Sequence, residues 1–514
     1  MQQEKLIKTP GLFQALIPII FLIPLLALNV ILFEDPLGGP NQIVLILSAA
    51  VAALVGISLN IPFSRLLKGA VNSIMSSLPA ILILLLIGAL AGTWLISGIV
   101  PSMIYYGLKV LNPTIFLLAS VIVCAIVSLA TGSSWSTVAT VGIALLGIGK
   151  AMEINEGLIA GAIISGAYFG DKISPMSDTT NLAPAMAGTD LFTHIRYMLL
   201  TTVPTLIITL IIFFLIGLSF DTGSTEVSTA ALSASIKSKF NINPLLFIVP
   251  AVVIWMIVKK VNAIPALLIG SLLGGLFAVI FQPQIINEIF TSNLKWDSET
   301  EPMPGYAARS YSAIMSAIGS DVALTSDNEI ASGLLKSRGM YGMLNTIWLI
   351  ITALSFGGIM EEAGLLQRIT APLVRKVRSA GGLVTTTAAS CVFTNVTASD
   401  QYLSIVVPGK MFANTYKKLG LAPQNLSRTL EDSGTVTSVL VPWNTCGATQ
   451  TAVLGVSTYL YAPYAFFNII SPFMTIAFAY LKIKIAWLRP AEADKVHPSN
   501  ISDEPEDKPV DYLQ

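Results

Sequence analysis

Long apolar stretches without a charged residue recur along the chain, and they set the pattern from which the fold is predicted. A membrane-spanning helix needs roughly 20 consecutive apolar residues. Stretches of that size lie at residues 11–33, 41–64, 69–108, 110–149, 197–220, 240–258, 261–287, 340–360, 379–399 and 433–481. The three longest could each cross twice, or cross once and add a re-entrant segment. We therefore predict an all-α polytopic membrane protein with about 10–13 membrane segments, helical because unpaired backbone groups are not tolerated against lipid.

Short motifs occur twice, in the same order in the two halves of the chain. The matched pairs are 88–100 with 352–366, 130–137 with 396–403, and 169–177 with 430–438. The first pair aligns Gly98 with Gly364, and the third sets Asp171 against Asp432. Because basic loops favour the cytoplasmic side, the loop charges orient the first matched pair of helices in opposite directions. This pattern predicts two inverted repeats with broken helices, an arrangement of transporters that bind substrate near the membrane midplane.

Polar segments divide the chain into six predicted units. They are a first transport repeat (1–220), a polar connecting loop (221–239), a helical pair of the second repeat (240–281), an extramembrane insertion (282–339), the rest of the second transport repeat (340–488) and a disordered cytoplasmic tail (489–514). The tail is rich in Pro, Asp, Glu and Lys, a composition typical of disorder. Lys5 and Lys8 near the start, and Lys482 and Lys484 before the tail, predict that both termini are cytoplasmic.

Composition excludes several classes of function. The chain of 514 residues is 54% hydrophobic and 11% charged, with a mean hydropathy of +0.75, whereas soluble domains carry about 25% charged residues. Lys and Arg total 29, as do Asp and Glu, so no net charge attracts nucleic acid. Two histidines and no HExxH motif argue against a zinc site, and the absence of a Walker motif argues against an ATP-driven pump. We expect no cofactor and no enzymatic activity.

Charged and hydroxyl side chains interrupt the apolar pattern at the matched positions. A carboxylate at mid-bilayer costs at least about 2.5–3.5 kcal/mol, so its presence there points to function, although each cluster alone is also compatible with an extramembrane loop. The predicted ion-binding and proton-coupling residues are Asp171, Asp178, Asp400, Glu431 and Asp432. The predicted supporting polar ligands are Ser133, Ser134, Ser174, Thr180, Asn181, Thr397, Thr435 and Asn444. Lys172 is expected as a counter-charge, in an ion pair with Asp171.

The surroundings of Asp171 suggest how such a site could work. Pro175 and Pro184 are expected to prevent a continuous helix and to leave carbonyl oxygens free. Carbonyl, hydroxyl and carboxylate oxygens are ligands of the kind that hard cations prefer. Burial favours the protonated form of a carboxylate, whereas a bound cation favours the ionised form. Cation and proton would then compete, and exchange becomes obligatory if the empty charged site cannot reorient.

Three long strings resemble the NhaC-type sodium/proton antiporters of a wider ion-transporter superfamily. They are TGSSWSTVATVG (131–142), GAYFGDKISPMSDTTNLAPAMAGTDLFTHIRYM (166–198) and EDSGTVTSVLVPWNTCGA (431–448). The resemblance implies an antiporter of the cytoplasmic (inner) membrane that exchanges Na⁺, with Li⁺ as a further candidate, for H⁺ by alternating access. Na⁺ is then expected at the cluster of Asp171 and Asp432.

Other interpretations stay open at this point. The same family is similar to carriers that exchange malate and protons for Na⁺ and lactate, so small organic acids are candidate substrates, and Lys172 or Arg196 could anchor their carboxylates. An intramembrane serine protease would need Ser133 or Ser134 with His194, and a passive cation channel would need no coupling. The oligomeric state and the role of the 282–339 insertion are not predicted.

Overall fold

The computed structural model describes residues 7–33, 36–110, 112–220, 222–259, 261–293, 303–369 and 379–488. The predicted disordered tail (489–514) and Lys5, one of the residues used to orient the N-terminus, lie outside the described residues.

Helices account for nearly all of the described secondary structure. In the first half they are α1 (Leu12–Leu32), α2 (Pro40–Ser58), α3 (Phe63–Ser76), α4 (Leu78–Ile96), α5 (Ile99–Val110), α6 (Pro113–Thr131), α7 (Ser134–Thr137), α8 (Ile143–Ala151), α9 (Glu156–Ile173), α10 (Asp178–Ala187), α11 (Leu191–Gly217) and α12 (Thr222–Lys239). In the second half they are α13 (Ile248–Val258), α14 (Ala263–Phe281), α15 (Pro283–Asn293), α16 (Tyr306–Gly319), α17 (Glu329–Leu334), α18 (Leu344–Glu362), α19 (Ala380–Thr397), α20 (Leu403–Lys418), α21 (Pro423–Leu430), α22 (Thr445–Leu454), α23 (Thr458–Tyr461) and α24 (Phe466–Tyr480). Strands β1 (Val322–Ala323) and β2 (Lys336–Ser337) form a short antiparallel hairpin.

Seven of the described helices are long and apolar enough to cross a membrane. They are Leu12–Leu32, Pro40–Ser58, Leu78–Ile96, Pro113–Thr131, Leu191–Gly217, Ala263–Phe281 and Tyr341–Glu362. Two bent pairs bring the total to 9, one with a 90° bend before Pro244–Val258 and one with a 53° bend before Phe466–Tyr480. The protein is thus an all-α polytopic membrane protein. The expected 10–13 segments are more numerous because they also count the stretch 379–399, which forms the more polar helix α19, and allow the three longest stretches to cross twice.

The segment expected to be a polar loop is helical instead. Residues Thr222–Lys239 form α12. At its end, the ammonium group of Lys239 forms an ion pair with Glu288 of α15 at 2.8 Å. Ser and Thr have modest helix propensity, but tertiary packing overrides such a weak preference. The insertion that follows α14 also contains structure, since α15, α16, α17 and the β hairpin lie within it.

The polar motifs around Asp171 lie at the junction of two helices. Helix α9 ends at Ile173, and α10 begins after Ser177, whose hydroxyl accepts a hydrogen bond from the amide of Thr180. Pro175 lies in this junction, as expected for a residue that lacks an amide proton. Pro184, however, lies inside α10 and does not end it.

The matching region of the second half has the same kind of interruption. A π-helical turn at Glu431–Thr435 follows α21, and a short helix, α22, begins after Asn444, whose side chain accepts from the amide of Cys446 at 3.0 Å. The short helices α10 and α22 both end at a glycine in the left-handed region, Gly188 with φ +80° and Gly455 with φ +66°. Side-chain caps and left-handed glycines are common start and stop signals of helices.

The matched sequence positions occupy equivalent places in the structure. Thr131 and Thr397 are the last residues of α6 and α19, and Gly98 and Gly364 both have positive φ, +79° and +69°. The final long helices of the two halves, α11 and α24, run antiparallel. The hydroxyl of Tyr197 near the start of α11 donates to the carbonyl of Lys484 beyond α24 at 2.8 Å. Near the other end, the rings of Phe213 and Phe466 are 5.0 Å apart. An inverted repeat requires the equivalent helices of its two halves to run in opposite directions, as α11 and α24 do.

The second half of helix α9 packs closely against α6, and the two helices run in the same direction. A Cβ atom on Gly166 would lie 2.2 Å from the carbonyl oxygen of Val121, and one on Gly170 would lie 2.4 Å from that of Ala125. Small residues that let two backbones approach are typical of helix contacts in membranes. The glycines of α9 therefore fix the position of the polar residues at its end.

Candidate functional site

Asp171 lies in the last turn of α9 and is buried, with 6% of its surface exposed. Its Oδ2 accepts hydrogen bonds from the amide of Ser134 at 3.0 Å and from the Ser134 hydroxyl at 2.6 Å. Ser134 is the first residue of α7, so the carboxylate faces a helix N-terminus, where negative charge is favoured. The second oxygen, Oδ1, has no hydrogen-bond partner among the described residues. Asp171 thus keeps one oxygen available for another ligand.

The expected ion pair between Lys172 and Asp171 does not form, because Lys172 pairs with Asp432 instead. Neither side chain is exposed. The Lys172 ammonium also donates to the hydroxyl of Ser471 at 3.0 Å, and the Thr201 hydroxyl donates to Oδ2 of Asp432 at 2.9 Å. Consecutive residues on a helix do not face each other, so Lys172 points away from Asp171 and reaches the other repeat.

Glu431 begins the π-helical turn and is completely buried. Its Oε1 accepts a hydrogen bond from the hydroxyl of Thr179 at 3.1 Å, while Oε2 has no partner among the described residues. Asp171 and Lys172 are both close enough for their charges to interact with the carboxylate of Glu431. Helix α10 therefore connects the carboxylate of the second repeat to the polar junction of the first repeat.

Asp400 and Asp178 differ from these residues in their surroundings. Asp400 is buried, and its Oδ1 accepts from the amide of Leu403 at the start of α20 at 2.9 Å, while Oδ2 has no partner among the described residues. Asp178 is exposed. It accepts from its neighbouring amide of Thr179 at 3.0 Å and from the hydroxyl of Tyr402. Asp400 thus resembles Asp171 in keeping one buried oxygen free, whereas Asp178 lies at the surface of the described chain.

Most of the predicted supporting side chains bond to the backbone of the helix junctions. Ser174 donates to the carbonyl of Leu129 at 2.9 Å, and Thr180 donates to the carbonyls of Asp171 and Lys172 at 3.2 and 2.9 Å. The others of this kind are Ser133, which caps α7; Asn181, which is exposed and bonds to the carbonyls of Pro175 and Ser177; Thr397, which bonds to the carbonyl of Phe393; and Asn444, which caps α22. These residues shape the site and leave the carboxylates free.

The hydroxyl of Thr435, another predicted ligand, forms no hydrogen bond with the described residues. Thr435 is fully buried. Ser433 Oγ in the same turn is also unpartnered. Between residues 7 and 488, leaving out the undescribed gaps, no three or more His, Cys, Asp and Glu residues form a group that could hold a metal ion. Free oxygens on separate carboxylates and hydroxyls suit a weakly held cation better than a transition metal.

Sequence reasoning missed several residues that complete the site. Thr179 holds Glu431, and Thr201 and Ser471 hold the Lys172–Asp432 ion pair. Thr201 carried a usable signal, because Thr201, Thr205 and Thr209 are spaced by four residues in an otherwise apolar helix and therefore share one face. That face is buried. Thr179 gave no separate signal beyond its place in a polar run.

Comparison with known proteins places this architecture in a family. A family model described as the Na⁺/H⁺ antiporter family matches residues 166–294 and 308–483. The chain belongs to this family. It is 38% identical to the Na⁺/H⁺ antiporter NhaC of Alkalihalophilus pseudofirmus over 444 residues, which are 86% of this chain and 91% of that protein. The membership confirms the resemblance seen in the sequence.

Two further relatives show the breadth of the similarity. The malate-2H⁺/Na⁺-lactate antiporter of Bacillus subtilis is 35% identical over 92% of this chain and 95% of its own length. The Na⁺/H⁺ antiporter NhaC of Bacillus subtilis is 34% identical over 86% of this chain and 92% of its own. Family members that resemble this chain to almost the same degree thus carry different names for what they exchange.

Proposed function

We propose that this chain exchanges Na⁺ for H⁺ across the cytoplasmic membrane by alternating access. The observation that carries the proposal is the pair of buried carboxylates, Asp171 and Glu431, one from each repeat, each with an oxygen that lacks a partner among the described residues. An unpaired buried carboxylate oxygen is costly, and either a proton or a cation removes that cost. The two ions are therefore expected to compete for the same oxygens.

Asp432 has a different role in this proposal. Its charge is already balanced by Lys172, so it needs neither Na⁺ nor H⁺ to be stable. We place Na⁺ at Asp171 and Glu431, with Thr435 Oγ1 as a further oxygen ligand, and we assign the Lys172–Asp432 ion pair to the contact between the repeats. Asp400, with its free Oδ2, is a second proton or cation acceptor of the same kind. Li⁺, which prefers the same ligands, is a further candidate.

The experiment is reconstitution of the purified protein in liposomes that contain a pH-sensitive dye. Addition of Na⁺ should drive proton movement in the opposite direction, Li⁺ should substitute to some degree, and K⁺ serves as the comparison cation. Sodium flux without any proton movement would identify a passive channel and would overturn the proposal. The location of both termini in the cytoplasm can be tested in parallel with single-cysteine labelling of loop positions in intact cells.

A second candidate function is Na⁺-coupled exchange of small organic anions, and the charges of a cavity favour it. The cavity has a volume of about 860 Å³ and is lined by Ala448 and Thr451 of α22 and by the cations Lys150, Lys336 and Arg338. None of the described residues lining it is Asp or Glu. Outside the lining, however, Glu156 pairs with Lys150 at 2.7 Å and Asp321 lies 4.0 Å from Arg338, so Lys336 supplies the net positive charge. A cleft lined by one sign of charge concentrates ions of the opposite sign. Labelled lactate or malate should then exchange in a manner that depends on Na⁺, and complete indifference to both would remove this candidate.

The cationic anchors expected for an organic anion are not suited to that role. Lys172 is bound to Asp432 and Ser471, and Arg196 is exposed on α11. A carrier of organic anions therefore requires another buried cation.

A further inference from the structure

Arg428 of helix α21 is a buried cation without a hydrogen-bond partner. Its side chain is completely buried, and within the described chain Nε, Nη1 and Nη2 all lack a partner. A guanidinium carries five N–H donors, and a buried charge is expected to be paired or hydrogen-bonded. A side chain that satisfies none of its donors is the strongest polar anomaly in the described part of the molecule.

The contacts that Arg428 does make leave its donors free. The guanidinium carbon lies 4.6 Å from the ring centre of Tyr197, a cation–π contact, which supplies no acceptor oxygen for the N–H groups. Two acids follow at the next turn, Glu431 and Asp432. Glu431 is bonded to Thr179, and Asp432 is bound to Lys172 and Thr201. Neither carboxylate hydrogen-bonds to the guanidinium. The protein itself therefore supplies positive charge at this point without the matching acceptor.

A second buried polar atom without a partner among the described residues lies at the same contact between α11 and α21. His194 of α11 is buried, and its Nδ1 shares a hydrogen bond of 2.8 Å with the hydroxyl of Ser427, the residue next to Arg428. The other ring nitrogen, Nε2, has no partner among the described residues. Lys172 is within electrostatic range of His194, and Tyr197 and Tyr416 are within electrostatic range of Arg428.

We propose that Arg428 binds the carboxylate group of a small organic acid at the contact between α11 and α21. The planar guanidinium presents paired N–H groups that match the two oxygens of a carboxylate. A spherical anion such as chloride cannot use that paired geometry. The proposal extends the second candidate function, and it does not depend on whether Na⁺ and H⁺ compete at Asp171 and Glu431.

The test measures binding directly on the purified full-length protein. Lactate, malate and chloride, all as the same cation salt, are titrated while the midpoint of thermal unfolding is followed in detergent. Lactate or malate should raise the midpoint of the wild-type protein with a saturable dependence, and chloride at equal concentration should not. Absence of any shift with both organic acids, or an equal shift with chloride, would overturn the assignment of a carboxylate site.

Two substitutions assign the effect to Arg428. Arg428→Gln removes the charge and is vulnerable to misfolding, so Arg428→Lys, which keeps the charge but loses the paired N–H groups, provides the second variant. We expect Arg428→Lys to weaken carboxylate binding at least tenfold. The matched control is Arg196→Lys on the exposed side of α11, which should bind as the wild type does. Unchanged binding in folded Arg428→Lys would reject the site.

The outcomes separate this proposal from the transport function. Carboxylate binding by a wild-type protein that shows no Na⁺-driven proton movement would leave the anion site intact while the main function fails. Na⁺-driven proton movement in a protein that binds neither acid would support the main function and reject the anion site. Loss of carboxylate binding in Arg428→Lys, with normal binding in Arg196→Lys, supports the site in either case.

Discussion

Lys172 and Asp432 form a fully buried ion pair that joins the last turn of α9 to the π-helical turn after α21. The two residues belong to opposite repeats and lie one position from Asp171 and Glu431 respectively. The ion pair thus fixes the two unpaired carboxylates relative to each other. Because neither charge can reach water, the pair is expected to behave as a unit.

Removal of one member of this ion pair should be more harmful than removal of both. Lys172→Met leaves Asp432 as an uncompensated buried charge, and Asp432→Leu leaves Lys172 in the same condition, which costs about 3–5 kcal/mol. The double variant replaces both charges with apolar side chains and should recover most of that loss. Unfolding midpoints of the four proteins in detergent measure the effect. Additive losses in the double variant would show that the two charges do not compensate each other.

Asp171→Asn should abolish Na⁺-dependent proton movement in liposomes. The amide keeps the shape of the side chain and can still accept from Ser134, but it can neither release a proton nor carry the charge that attracts Na⁺. The matched control is Asp190→Asn. Asp190 caps α11 from an exposed position by accepting from the amide of Thr193 at 2.9 Å, and Asn caps helices about as well as Asp. Normal exchange in Asp171→Asn would reject this residue as a coupling site.

Competition between the two ions predicts how the apparent KM for Na⁺ varies with pH. Acidification protonates the shared carboxylates, so the apparent KM for Na⁺ should rise as pH falls. One competing proton allows a rise of up to about tenfold per pH unit, because the proton and Na⁺ each lower the affinity for the other by the same factor. Glu431→Gln should flatten this dependence. Glu288→Gln, which removes a carboxylate paired with Lys239 far from the junction, should leave it unchanged. A KM that does not vary with pH in the wild-type protein would contradict competition.

The glycines at the end of matched helices should be sensitive to substitution. Gly98 and Gly364 have φ angles of +79° and +69°, a conformation that costs other residues roughly 1–2 kcal/mol. Gly364→Ala should therefore lower stability by about that amount, and Gly98→Ala by more, since its Cβ would lie 2.5 Å from Nε2 of Gln282. Gly319→Ala, at an ordinary φ with no atom within 4 Å of the new Cβ, is the control. Equal unfolding midpoints in all three would contradict the explanation.

The sequence was sufficient for the architecture because the apolar spans and the repeated glycines are local signals. Gly98 and Gly364 align from the sequence alone, and both have positive φ. The helix at Thr222–Lys239 was not predicted, because its Ser and Thr content favours a loop when packing is ignored. The contact of Lys239 with Glu288 belongs to the tertiary structure and cannot be read from this segment alone.

The candidate site was predictable in its residue types but not in its pairings. Asp171, Glu431 and Asp432 were all named from the cost of burying a carboxylate, and all three are buried. Lys172 was assigned to its neighbour in sequence, because the chain does not reveal which face of another helix lies opposite. Arg428 gave no motif at all, since an arginine three residues before Glu431 resembles an ordinary helix-surface charge until its burial is known.

The contact between α6 and α9 restricts how the molecule can move. With Gly166 and Gly170 pressed against the carbonyl groups of Val121 and Ala125, neither helix can slide or rotate past the other without a steric clash. We therefore expect α6 and α9 to keep their relative position during the transport cycle, and the helices that move against each other to lie elsewhere.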